Sequence, residues 1–106
     1  MMTVRYAVTL DEDYQPWGDD GIKELETKKI NSGEWEPYIL WAYIPCEHEH
    51  GPDCPHTVDW ETIGGCVDDA DLTGVYDTLD ALPREFLREY AQDMTRTLID
   101  NNRAAA

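Results

Sequence analysis

Val4, Tyr6, Val8 and Leu10 occupy every second position near the start of the chain, with Thr3, Arg5, Ala7 and Thr9 between them. A period of two sends alternate side chains to opposite faces, so the pattern predicts a half-buried strand over residues 3–10. Asp11-Glu12-Asp13 ends it, and Gln15-Pro16-Trp17-Gly18-Asp19-Asp20-Gly21 carries the Pro and Gly punctuation of a loop. Asp19 or Asp20 can cap a short helix over residues 22–29, in which Ile22, Leu25 and Ile30 only partly share a face and which Asn31-Ser32-Gly33 ends. Tyr38-Ile39-Leu40-Trp41-Ala42-Tyr43-Ile44 is apolar at both parities, the mark of a central strand covered on two sides. Residues 45–55 read as a loop. Alternation resumes over residues 57–63, with Val58 and Trp60 on one face and Asp59 and Glu61 on the other, and Gly64-Gly65 permits a bulge before Cys66-Val67.

Phe86, Leu87, Tyr90, Ala91, Met94 and Leu98 recur at three- and four-residue steps, which puts them on one stripe of a helix. Pro83 fits its first turn, Asp80 is placed to cap it, and the helix is expected to run over residues 83–101 before a fraying tail at residues 104–106. There is no internal repeat and no dividing linker. The elements predict one α+β domain over residues 1–106: a small antiparallel sheet of about three strands with one C-terminal helix packed on one face.

The 106 residues fit a single core, and a hydrophobic share of 42% with four Trp and six Tyr separates the chain from disordered acidic tails. Lys and Arg number 8 against 23 Asp and Glu, a formal charge of -15, which disfavours direct binding to nucleic acid or to an anionic membrane. The alternating N-terminus lacks the apolar run of a secretory signal, and the longest apolar-rich run, residues 38–46, is far below the ~20 residues that cross a bilayer. The expected compartment is the cytoplasm, where the three cysteines stay free or hold a metal.

Charge is segregated as well as abundant. From Ile30 to Leu82 every Asp and Glu stands without a Lys or Arg between them. Gathering like charges on one surface costs stability, so such a field points to a use. Glu47/Glu49, Asp59/Glu61 and Asp69/Asp71 fall two residues apart, roughly 6–7 Å in extended chain, a spacing that suits a mimic of a phosphate backbone. This reading makes the protein a non-catalytic inhibitor that occupies the basic site of a nucleic-acid-binding protein, with Asp59, Glu61, Asp68, Asp69 and Asp71 as principal contacts. The bland alternative is a solvated acidic surface that keeps the chain soluble.

Every Cys and His lies in the window Cys46-Glu47-His48-Glu49-His50, Cys54-Pro55-His56 and Cys66. Zinc takes four N or S ligands in a tetrahedron, and Cys46, Cys54 and Cys66 with His50 or His56 can supply them. The spacing contains no C-x2-C pair of the usual finger or ribbon, which counts against zinc and for a polar His-rich loop with reduced thiols, and His48-Glu49-His50 lacks the four-residue step of H-E-x-x-H, so a zinc held here is expected to be structural rather than catalytic. A zinc-stabilised interaction or scaffold module with incidental acidity is therefore the competing function. Calcium is the weaker metal: Asp69, Asp71, Thr73, Gly74, Asp77 and Asp80 follow an EF-hand order only in part, since Asp stands where the bidentate Glu belongs. Enzyme signatures are missing: there is no Gly-rich phosphate loop and no G-x-S-x-G, and Ser32 is the single serine.

With its alternating first strand, Trp41-Ala42-Tyr43, the turn Ile63-Gly64-Gly65-Cys66 and the helix Leu82-Pro83-Arg84-Glu85-Phe86-Leu87-Arg88-Glu89-Tyr90, the chain resembles small acidic accessory proteins of actinobacterial phages. Some small acidic phage proteins are DNA mimics that block restriction or CRISPR effectors, so the resemblance implies a host-defence inhibitor acting in the host cytoplasm on a basic nucleic-acid-binding partner.

Overall fold

Tyr38, Leu40 and Ala42 are fully buried on one face of the strand they share, and Tyr43, of opposite parity, is 1% exposed on the other. Only an interior strand can bury both parities, and this one is flanked on each side. In a computed structural model, which describes residues 3–16 and 18–104, the elements are β1 (Arg5–Leu10), α1 (Asp20–Asn31), β2 (Glu36–Ile44), β3 (Asp59–Asp68), β4 (Gly74–Tyr76), a 3-10 turn (Leu79–Ala81) and α2 (Glu85–Ala104). The sheet order is β3-β2-β1-β4, and each neighbouring pair is antiparallel. The fold is α+β as expected, with a fourth strand and a shorter helix besides α2. Trp17 of the expected loop and Ala105 and Ala106 of the expected tail lie outside the described residues.

The fourth strand corrects the reading of residues 69–80. Gly74–Tyr76 pairs with β1 instead of lying in an open cation loop, and Asp71 is turned onto its own neighbour, accepting from the Thr73 N–H at 3.1 Å and the Thr73 hydroxyl at 2.6 Å. Asp80 falls inside the 3-10 turn, which Thr78 caps, so it does not cap α2, and that helix begins at Glu85.

One face of the sheet carries Tyr6, Val8, Tyr38, Leu40, Ala42 and Cys66, and α2 lays Leu87, Ala91 and Leu98 on it. Phe86 and Met94 are half-buried at the margin of the same stripe, and Tyr90 turns partly to solvent. Tyr6 and Thr95 share a hydroxyl hydrogen bond of 2.7 Å that ties sheet to helix, and the buried Tyr38 hydroxyl donates to the Ala70 carbonyl at 2.6 Å, anchoring the chain after β3. α1, capped by Asp19, buries none of its residues and leaves Ile22 and Leu25 about half exposed.

β3 contains the bulge the glycines allow. Leu40 faces Ile63 while Tyr38 faces Cys66, so β3 spends one residue more than β2 between those rungs. Gly65 takes the turn at φ 76°, a left-handed value that glycine adopts without a Cβ clash. The extra residue restores parity, and both Ile63 and Cys66 point at α2.

Candidate metal centre

β2 and β3 are antiparallel neighbours, yet residues 45–58 connect them by a long excursion without regular structure. A connection of this length in a small domain has to be held by something, because its ordering is opposed by chain entropy. It is held partly by its own turns. The Glu49 N–H donates to the Cys46 carbonyl at 2.8 Å, the Cys54 N–H to Gly51 at 3.2 Å, and the Thr57 N–H to Cys54 at 3.1 Å. The Val58 N–H donates back to the Ile44 carbonyl at 3.0 Å and closes the excursion. Arg5, on the sheet face away from α2, ion-pairs with Glu49 at 2.9 Å, and Pro52 and Asp53 line a cleft of about 320 Å³ together with Ala7, Trp41 and Val75. The connection thus folds over the face that α2 leaves uncovered, which explains why Ala7 and Tyr43 are buried there.

Those turns bring Cys46, His50 and Cys54 together, with one donor atom from each within 4.8 Å of the others. The Cys46 and Cys54 sulfurs are 3.8 Å apart, and the Cys54 sulfur is 3.5 Å from Nδ1 of His50. Around a tetrahedral zinc with Zn–S of about 2.3 Å and Zn–N of about 2.0–2.1 Å, the ligand edges are about 3.8 Å for S···S and about 3.6 Å for S···N. Both short edges of the donor triangle therefore have the length that zinc requires.

Backbone donors serve the sulfurs as they would serve thiolates. The His50 N–H points at the Cys46 sulfur and the His56 N–H at the Cys54 sulfur, each at 3.4 Å. The His50 N–H, and behind it the N–H of His48 and the Cys54 thiol, hold the Cys46 thiol below its ordinary range against the opposing effect of burial. Glu49 makes this geometry possible: its φ of 57° reverses the chain between Cys46 and His50, in a left-handed conformation a non-glycine residue seldom takes. The left-handed turn is seated by the Arg5 ion pair.

Cys46, Glu47, His48, His50 and His56 line a cleft of about 420 Å³ beside the cluster. His56 is thus on the wall of the centre rather than in the three-donor group, and His48, which the sequence reading left aside, stands on the same wall. Cys66 is elsewhere. On β3 it faces Tyr38 of β2, about 20 Å by strand rise from the end of β2 at Ile44, beyond which Cys46 lies, and it is 5% exposed under α2 with burial pushing its thiol up. It is therefore not part of the Cys46, His50 and Cys54 group.

The five acids expected to contact a partner do not form one patch. Asp59, Glu61 and Asp68 have the parity that faces α2. Asp59 accepts from the Asn102 side-chain amide at 3.0 Å, Glu61 is half-buried opposite Ala42, and Asp68 is gripped by Arg84 at 3.1 and 3.3 Å. Asp69 and Asp71 are exposed beyond the far end of β3, about 25–30 Å from Asp59 by strand rise. Charged side chains aimed inward from an edge strand protect its free edge from pairing with another chain, an ordinary structural task for Asp59, Glu61 and Asp68.

No family model, curated protein or solved structure matches the chain. Among the described residues no helix is long and apolar enough to cross a membrane.

Proposed function

We propose that this protein is a non-catalytic interaction module in which a structural zinc ion, held by Cys46, His50 and Cys54, fixes the 45–58 connection over the open face of the sheet. The observation that carries this reading is the 3.8 Å and 3.5 Å pair of donor edges, which match a zinc tetrahedron. The fourth position is filled from the imidazoles on the cleft wall, His48 or His56, and four protein ligands make a closed site whose role is to hold structure. Val58 and Trp60 flank the connection, 62% and 53% exposed, and offer a partner apolar anchors beside the ordered loop. The net charge of -15 makes that partner basic.

Metal analysis of protein purified without chelator tests the reading: one zinc per chain is expected. With zinc at about a hundred times its dissociation constant the stabilisation is about 2.7 kcal/mol, a rise in melting temperature of about 10 °C over chelator-treated protein. One of His48→Ala and His56→Ala is expected to weaken zinc by about tenfold or more, since loss of an outer partner alone costs ~10–100-fold. Substoichiometric zinc with no chelator effect on melting removes the proposal.

A host-defence inhibitor that offers acids to a basic nucleic-acid-binding protein is the second reading. The net charge and the exposure of Asp69 and Asp71 favour it. In this form it draws on the field of the whole molecule, because Asp59, Glu61 and Asp68 are engaged toward α2.

A further inference from the structure

We propose that Cys54 and Cys46 form a thiol–disulfide exchange site, with Cys54 as the attacking sulfur, Cys46 as the resolving sulfur and a small-molecule disulfide of the glutathione type as co-reactant. The sulfurs lie 3.8 Å apart on a connection free of regular structure, so bonding at about 2.05 Å asks for a displacement of under ~2 Å shared between two loop side chains. Access differs between them. Cys54 is partly exposed and reachable by a small disulfide, while Cys46 is 6% exposed and is presented to Cys54 rather than to solvent. Cys66, buried under α2, takes no part.

The Cys54 thiolate attacks one sulfur of the small disulfide, whose S–S bond breaks, and the first half leaves as a thiolate that takes up the proton Cys54 has lost. The Cys46 thiolate then attacks the Cys54 sulfur of the mixed disulfide, and the second half leaves with the proton from Cys46. Two protein thiols are oxidised and one small disulfide is reduced to two thiols. Because the sulfurs are the same ones assigned to zinc, the bridge and the metal exclude each other, and in this respect the inference rests on the proposed metal centre.

The test is intact-mass analysis and thiol counting on the full chain, chelator-treated or zinc-loaded, incubated with oxidised glutathione. The chelator-treated protein is expected to lose two thiols and two hydrogens of mass, to give a Cys46–Cys54 bridged peptide and to keep Cys66 reduced. Cys46→Ser is expected to stop at a glutathione adduct on Cys54. With zinc at about a hundred times its dissociation constant the free dithiol, and the rate with it, falls about a hundredfold. Retention of all three thiols, an unresolved adduct on the unaltered chain or a bridge to Cys66 overturns the exchange site, and these outcomes need no variant. A bridge that forms at the same rate with and without zinc leaves exchange standing and overturns the metal assignment.

Discussion

Asp68 ends β3 with 11% of its side chain exposed, a setting that by itself disfavours a charge. That burial is the largest single influence on the group, but the Arg84 fork and the Ala70 N–H together outweigh it and hold the carboxyl below the usual carboxylate range. A carboxyl whose folded value lies below its unfolded value of about 3.9 contributes stability above that pH and loses it as pH falls through the folded value. Asp68→Asn is therefore expected to lower the melting temperature at pH 7 by a few degrees, with the difference shrinking below about pH 4 in parallel melts. A deficit that is constant with pH contradicts the Asp68–Arg84 pair. The sequence shows Asp68 as one acid among many, and its partner is sixteen residues further on, in the approach to α2. Nothing local announces such a pair. The Cys/His cluster, by contrast, was legible as composition, and what the sequence withheld was which of its members meet.

α2 and α1 differ in what they bury, and their sequences already differ in the same way. The three- and four-residue recurrence from Phe86 to Leu98 lands Leu87, Ala91 and Leu98 in the core, whereas Ile22 and Leu25 stay half exposed because, among the described residues, no second element packs closely over them. Leu87→Ala is expected to cost about 2–5 kcal/mol in denaturant unfolding. Leu25→Ala on α1 is expected to stay within about 0.5 kcal/mol, and a large loss there would place α1 in the core after all. The two-sided hydrophobicity of residues 38–44 correctly marked β2 as interior, and Gly64-Gly65 correctly marked the bulge. The consequence of that bulge was harder to read: one extra residue in β3 decides whether Cys66 looks toward α2 or away from it. β4 was missed because a three-residue strand, Gly74–Tyr76, is too short to show a period and sits among turn-forming Asp and Thr.

Over the whole molecule, charge is the dominant feature. Arg5, Lys29, Arg84 and Arg96 pair with Glu49 and Asp77, Glu34, Asp68 and Asp93 respectively, and the net charge remains -15. Spread over a body of 48 × 26 × 24 Å, this charge repels itself. Raising ionic strength from about 0.01 M to about 0.15 M shortens the screening length from about 30 Å to about 8 Å, so the melting temperature of the free protein is expected to rise with salt. Capture of a basic partner is expected to weaken over the same range. Salt-independent melting and salt-independent capture would together remove electrostatics from the account.

The central claim is that zinc joins Cys46, His50 and Cys54, and a cobalt(II) titration of the chelator-treated chain tests it most directly. The account predicts intense tetrahedral ligand-field bands with thiolate-to-cobalt charge transfer that saturate at one cobalt per chain, reverse on adding zinc, vanish in Cys46→Ser and Cys54→Ser and persist in Cys66→Ser. Weak octahedral bands, or a spectrum that depends on Cys66, would contradict it.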